Sequence, residues 1–446
     1  MGQRLRRELN RRRDPRFLIA RSYRELIWGT ADPWWRMPFM SCRRAGLCIA
    51  WILGLFAVAL TRAETPTLVR EDIFPPEPWH NHASCVVESP RGDLIVCWFH
   101  GTGERKADDV RVEGARLRRG SRQWSERFVF ADTPEFPDCN PCLLVDPRGQ
   151  LWLFHITITA NLWESAVLKY RVSSDYHRAG APKWHASEVL HVKPGPEFDA
   201  AVGRALPGLA TEVAARTPEL SVRERREVQD YLDAFREHTT NTFYRRIGWM
   251  PRAHPVMIDS HRLVLPLYHD GFSCGLFAIT DDWGSNWHVS APVIGGGNVQ
   301  PSVVARRDGS LYTLMRDNGP PPKRAMQAES KDRGETWSPV TDSILPNPGS
   351  GLEVIALRSG KWLAVGNDTE DGRHSLAVWL SADEGRTWSW KRHVELVAPG
   401  TAGFGYPSVM QAKNGEIHLT YSFSREGRST IRHAHFPEAW ALSPEP

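Results

Sequence analysis

Apolar and polar positions alternate in short runs along most of the chain, and six times one such run leads through a polar turn into another. These pairs are SCVVESPRGDLIVCWF from Ser84, PCLLVDPRGQLWLFH from Pro141, PVMIDSHRLVLPLYH from Pro255, PSVVARRDGSLYTLM from Pro301, LEVIALRSGKWLAVG from Leu352 and PSVMQAKNGEIHLTY from Pro407. Five of the six turns place Gly after a polar residue or Arg, which is the chemistry of a β-hairpin. A third strand follows each hairpin, and three of these run into TDDWGSNW from Thr280, SKDRGETW from Ser330 and SADEGRTW from Ser381. All three fit [ST]-x-D-x-G-x-x-W, and the closing Trp recurs after 50 and then 51 residues. In each, the Asp can bond nearby backbone N–H groups, Gly supplies positive φ and Trp covers the turn. Weaker copies stand at Ser174-Asp175…Trp184 and Gly120…Trp124.

A period near fifty residues belongs to solenoids, propellers or arrays. Evenly spaced sheets of three or four short strands joined by tight antiparallel turns predict an all-β chain, a six-bladed β-propeller, and exclude a β-helix. The spacing breaks once. Between about 194 and 240 strand alternation is missing, Ser221-Val222-Arg223-Glu224 reads as a capping box, and Val228, Tyr231, Leu232 and Phe235 form a helical stripe. This predicts a helical insertion between blades two and three, either packed on the barrel side or lying over the axis as a lid.

Charge divides the 446 residues unevenly. Residues 1–63 hold 13 Arg against four acidic residues, leaving 43 basic and 48 acidic side chains in 64–446. The acidic body offers no footprint for nucleic acid. The basic leader contains Arg43-Arg44, the apolar run Gly46–Leu60 and Thr61-Arg62-Ala63, the pattern of a secretory signal cleaved after Ala63. Fifteen residues make roughly 22 Å of helix, short of a ~30 Å hydrocarbon core, so membrane contact is expected only if the leader stays as an anchor. Translation starting at Met37 or Met40 would suit such a signal better. The expected organisation is therefore a leader over 1–63 and a propeller over 64–446, exported from the cell. Five Cys lie in the body. Cys85 and Cys97 fall on neighbouring strands and are candidates to pair, with buried thiols the default. The C-x-x-C of Cys139 and Cys142 has no second pair, and no constellation demands a metal or other cofactor.

Propellers bind ligands at the axial mouth, where inner strands begin. Polar residues at those starts are His82, Asn140, Arg252 with His254, Gln300, Glu353 and Tyr406. Second-strand ends add Glu104, Asp108 and Asp109; Arg316, Asp317 and Asn318; and Asn367, Asp368, Glu370 and Arg373. The bland reading of Arg316 beside Asp317 is an internal ion pair, and of Asp108-Asp109 a solvated turn.

The boxes, six blades and polar axis resemble the sialidase (neuraminidase) superfamily, in its BNR/Asp-box repeat-like branch, over about 70–436. That family holds a substrate carboxylate with three Arg and uses an Asp acid/base and a Tyr nucleophile helped by a Glu. The resemblance puts the Asp on Asp109 in GTGERKADDVRVEGARLRRG, two of the Arg on Arg316 and Arg373, and the nucleophile on Tyr406 in GYPSVMQAKNGEIHLTY. Arg252 or His82 is the third carboxylate partner, with Asn140, Asp317, Asn318 and Asp368 as further substrate-binding residues. The chain departs from the pattern twice. His82-Ala83-Ser84 stands where the family has Arg-Ile-Pro, and Gln300 stands where it has Glu. Gln takes no proton, so Gln300 occupies a catalytic position without the base's chemistry, and His82 carries charge only below about pH 6.5. The resemblance implies a glycoside hydrolase removing an acidic sugar, sialic acid or a related uronate or keto-sugar, from a glycan. A non-catalytic glycan-binding propeller and a uronate lyase on the same site are the alternatives.

Overall fold

The computed structural model describes residues 66–216 and 221–445, so the basic leader and its expected signal lie outside the described residues. Six antiparallel sheets follow one another, one for each predicted hairpin. Their inner strands are His80–Glu88, Asp138–Val145, a split pair Met250–Pro251 and Val256–Met257, Asn298–Ala305, Glu353–Ala356 and Gly403–Gln411. Each blade's inner strand lies against the neighbouring blade, and that of blade 6 lies against that of blade 1. The chain is thus a closed six-bladed propeller. Blade 6 borrows its outer strand, Val69–Asp72, from the opposite end of the chain, pairing Glu71 with His433 and Val69 with His435. Glu71 also accepts from Trp124 Nε1 at 2.9 Å, tying the borrowed strand to blade 1.

Second strands are sandwiched between neighbouring blades on both faces. Leu94–Gly101, Leu151–Ile158 and Leu263–His269 are accordingly buried at every residue. Alternation survives as a sequence signal only where one face meets solvent.

The three strong boxes fold identically. Thr280, Ser330 and Ser381 donate to Asp282, Asp332 and Asp383 at 2.9, 2.8 and 2.8 Å and accept from the N–H of Gly284, Gly334 and Gly385. Each Asp also accepts the N–H four residues on. The position after each Asp is a clasp to the preceding blade. Arg333 pairs with Asp259, Glu384 with Arg307 at 2.8 Å, and Trp283 lies 3.8 Å from the Arg148 guanidinium. Exposed pairs of this kind contribute about 0–1 kcal/mol each, so they set blade register more than stability.

The insertion comprises α1 (Pro196–Arg216), α2 (Val222–Thr240) and α3 (Thr242–Arg246). Leu232 and Phe235 of the expected stripe are buried, with Phe198 and Leu209 opposite on α1. Phe198 and Phe235 both pack on Phe272, in the loop after the second strand of blade 3. That loop is held further by His238 Nδ1 on the Gly271 carbonyl, 3.0 Å, and by His269 Nε2 on the Ile247 carbonyl, 2.9 Å. Gly248, at φ +90°, passes so near this imidazole that a Cβ would stand 2.3 Å from Nε2. The insertion therefore buttresses a mouth loop.

The expected pairing of Cys85 with Cys97 is not found. The two face each other in register, yet all five described cysteines are free and buried. Cys85 Sγ is instead the acceptor for the Leu143 N–H at 3.1 Å. Among the described residues no group of three or more ligands suited to a metal occurs, and no helix is long and apolar enough to cross a membrane.

The Asp box gives a stability prediction. Desolvation raises the Asp383 carboxyl, but bonds from Thr387 and Ser381 hold it down at about 2. Because the folded value is depressed, this stabilisation is complete above the unfolded carboxyl value near 4 and is lost as pH falls towards 2. Asp383→Ala should cost about 1–2 kcal/mol, and thermal melts of mutant and wild type should converge as the pH approaches 2.

Candidate active site

Four inner strands break register at the same level, between His82 and Cys85, Cys139 and Cys142, Val299 and Ser302, and Gly405 and Ser408. At each break a non-glycine residue takes positive φ: Ala83 (53°), Asn140 (48°), Gln300 (53°) and Tyr406 (52°). These are β-bulges, which re-aim side chains beside functional sites, and each left-handed residue costs of order 1 kcal/mol. Pro141, Pro301 and Pro407 follow three of them, where the missing N–H costs no ladder bond. The bulges turn Asn140, Gln300 and Tyr406 into the mouth. In blade 1, where Ala83 has nothing to present, His82 lines it.

The mouth is a cavity of about 260 Å³. Tyr406 stands at its centre. Arg316 Nη1 donates to the Tyr406 hydroxyl at 2.7 Å, and the guanidinium carbons of Arg252 and Arg373 lie 5.1 and 5.2 Å from its ring. None of the three arginines makes an ion pair with a described carboxylate, and the Nε atoms of Arg252 and Arg316 are buried without a hydrogen-bond partner among the described residues. Arg252 is anchored by Nη2 on the Pro407 carbonyl, 2.6 Å. Gln300 Nε2 donates to Tyr268 at 3.2 Å and reaches Tyr406 at 3.4 Å, while Asn140 donates to Tyr268 at 3.0 Å. Gly351 keeps the floor open, since a Cβ there would stand 3.1 Å from Arg252 Nε and 3.3 Å from Tyr406.

The expected residues divide clearly. His82, Asn140, Gln300, Arg316, Asn318, Arg373 and Tyr406 line the cavity, and Arg252 packs under the Tyr406 ring. Asp109 does not. It is exposed and accepts from the Thr102 N–H and hydroxyl, bracing its own loop. Asp317 is buried and braces the next loop by accepting from Gly319 and Arg324 N–H groups, and Asp368 is tied to Lys391 and His393 on blade 5. His82 is not a third cation. Burial first, then His80 and the three arginines, holds its imidazole neutral.

Two carboxyls take the place expected for Asp109. Glu104, from the same loop, stands 3.2 Å from His80 Nε2, and this neighbour lowers its carboxyl pKa against the opposing effect of burial. Asp270, on the loop buttressed by the insertion, is pushed up to about 6 by burial, against the pull of Arg316. Asp270 escaped the sequence reading because it follows the second strand of blade 3 as one Asp among many. The charged groups that act on it, Arg316, Glu164, Arg105 and Glu104, come from other blades. Environments that drive two carboxyls apart mark a proton holder and a charge stabiliser. Trp163 and Phe99 complete the wall.

A six-bladed Asp-box propeller with three unpaired guanidiniums round a tyrosine defines the class. The model of the BNR repeat-like domain matches residues 92–205 and 234–419. The chain belongs to that family, within the sialidase superfamily. An anhydrosialidase from Macrobdella decora is 28% identical over 181 residues, covering 36% of this chain and 23% of the relative, so the match spans less than a quarter of that protein. Solved structures resemble the fold at lower identity. A protein of unknown function from Dyadobacter fermentans superposes with TM-score 0.61 and 16% identity, covering 84% of this chain and 99% of its own. An intramolecular trans-sialidase from Ruminococcus gnavus gives 0.59 and 14%, covering 82% and 96%.

The geometry predicts a titration. Carbon-detected NMR of labelled Asp should find one carboxyl titrating at about 6, assigned to Asp270 by its loss in Asp270→Asn. In Arg316→Ala it should titrate higher still, because the guanidinium favours the ionised form.

Proposed function

We propose that this propeller is an exported glycosidase that removes a terminal acidic sugar, sialic acid or a related uronate or keto-sugar, from glycans. The observation that carries the reading is the set Arg252, Arg316 and Arg373, three cations at one mouth with no described carboxylate paired to them. Unpaired buried charge is costly, and a substrate carboxylate offsets it in a planar, bidentate geometry. A tyrosine suits such a substrate better than a carboxylate nucleophile, which the sugar's own charge would repel. Tyr406, held by Arg316, faces the anomeric centre with its neutral oxygen and stabilises positive charge there. Asp270 gives a proton to the leaving oxygen as the glycosidic bond breaks, and the resulting carboxylate takes a proton back from the water that adds to the anomeric carbon. Glu104 stays ionised and stabilises the oxocarbenium-like centre. Gln300 positions the two tyrosines and takes no proton. The family resemblance and the anhydrosialidase relative support this choice of substrate, and the run Gly46–Leu60 supports export.

Gln300 also favours a second reading, a mouth that binds an acidic sugar without turning it over. Purified protein incubated with sialylated and uronic-acid glycans separates the two, since product release is expected only from an enzyme. Arg316→Ala should lower kcat/KM by about 100-fold or more. Asp270→Asn should cost a similar factor on glycans but much less on aryl glycosides whose leaving group needs no proton. In wild type the rate should fall as pH rises through about 6, and that limb should vanish in Asp270→Asn. Binding without product, unchanged by Asp270→Asn, would establish the second reading. N-terminal sequencing of the mature protein should begin at Glu64.

A further inference from the structure

The seam between blades 2 and 3 differs from the next two. Where the boxes of blades 4 and 5 clasp their neighbours with ions, blade 3 uses Trp283. The guanidinium on Trp283 is fixed by Asp146, whose Oδ2 accepts from Arg148 Nε and Nη2 at 3.1 and 2.8 Å and from Trp152 Nε1 at 3.0 Å. Beside this clasp lies a cavity of about 440 Å³ with aromatic walls from Trp283, Tyr170 and Trp152. Across from them stand Gln150, His185 and Glu188. None of these three uses its side chain in a hydrogen bond or ion pair with another described residue. The mouth residues stand at the starts of inner strands, whereas Gln150 belongs to the turn after one. The cavity therefore opens on the face away from the mouth.

We propose that this cavity is a second saccharide site, for a neutral pyranose. Its volume is that of a small-ligand pocket, and rings beside a few unspent polar groups match a sugar's apolar C–H face and its hydroxyl rim. The charge balance selects against acidic sugars. Asp146 already neutralises Arg148, so the Glu188 carboxylate is left to repel an anion and to accept hydroxyl hydrogens. The mouth and the seam thus read acidic and neutral sugars on opposite faces. A protein holding a glycan coat by the seam gains effective concentration at the mouth without any new contact there.

The test is calorimetric titration and tryptophan fluorescence with lactose, N-acetyllactosamine and cellobiose, on the full propeller and on its Arg316→Ala variant. Support is binding of at least one probe, equal in both proteins, and weakened about tenfold by Trp283→Ala and by Gln150→Ala. Gln150→Ala leaves the clasp intact, so it decides the matter should Trp283→Ala fail to fold. Binding that disappears in Arg316→Ala and survives Gln150→Ala would put the sugar in the mouth and overturn the proposal. So would the absence of binding by all three probes at millimolar concentration. Neither result bears on the acidic-sugar chemistry, which Arg316→Ala reports separately.

Discussion

Each blade of a propeller has a free inner edge, a row of backbone N–H groups facing an axis with no further strand to receive them. Left bare, those donors would cost free energy or recruit another chain. Here neighbouring blades cap them at one level. Val86 N–H donates to Ser408 Oγ, Leu143 N–H to Cys85 Sγ, Val354 N–H to Ser302 Oγ, and both His254 and Val409 N–H to the Glu353 carboxylate. His254 closes the circuit, with Nδ1 on Glu353 at 2.8 Å and Nε2 on the Val86 carbonyl at 2.9 Å. The inner edges of all six blades are thereby joined to one another, next to the bulges at Ala83, Asn140, Gln300 and Tyr406. The ring is what turns residues from distant repeats into a single rigid mouth.

Above that ring the electrostatics are lopsided by construction. Three guanidiniums crowd Tyr406, and the imidazole 4.1 Å from its ring is kept neutral by burial first, then by His80 and the same cations. Two carboxyls that line the cavity sit on separate loops and are pushed in opposite directions, Glu104 by His80 beside it and Asp270 by burial. Neither pairs with an arginine. Gln300, a neutral amide, adds no charge to this arrangement and donates to the hydroxyls of Tyr268 and Tyr406.

Much of this was legible in the chain. The hairpin runs and the three boxes have local causes, side chains bonding their own turn, and such causes survive in sequence. So did the polar residues before Pro141, Pro301 and Pro407, although the bulges that aim them were not foreseen. Asp109 misled because loop length alone does not say which carboxyl of GTGERKADD reaches the axis. Glu104 does, and Asp109 folds back on Thr102. The supposed link between Cys85 and Cys97 failed for a related reason, since facing thiols can each serve neighbours better singly.

What the sequence determined by itself is whatever repeats: the blade count, the turn chemistry, and the supply of Arg, Tyr and amide side chains at strand starts. Tertiary structure alone decided the closure of the ring by Val69–Asp72, the burial that lifts Asp270, the neutrality of His82 and the isolation of the arginines. The physical reason is range. Hydrogen bonds in a turn act over four residues, whereas desolvation and Coulomb interaction depend on what the fold places a few ångströms away, and here those neighbours lie hundreds of residues apart along the chain.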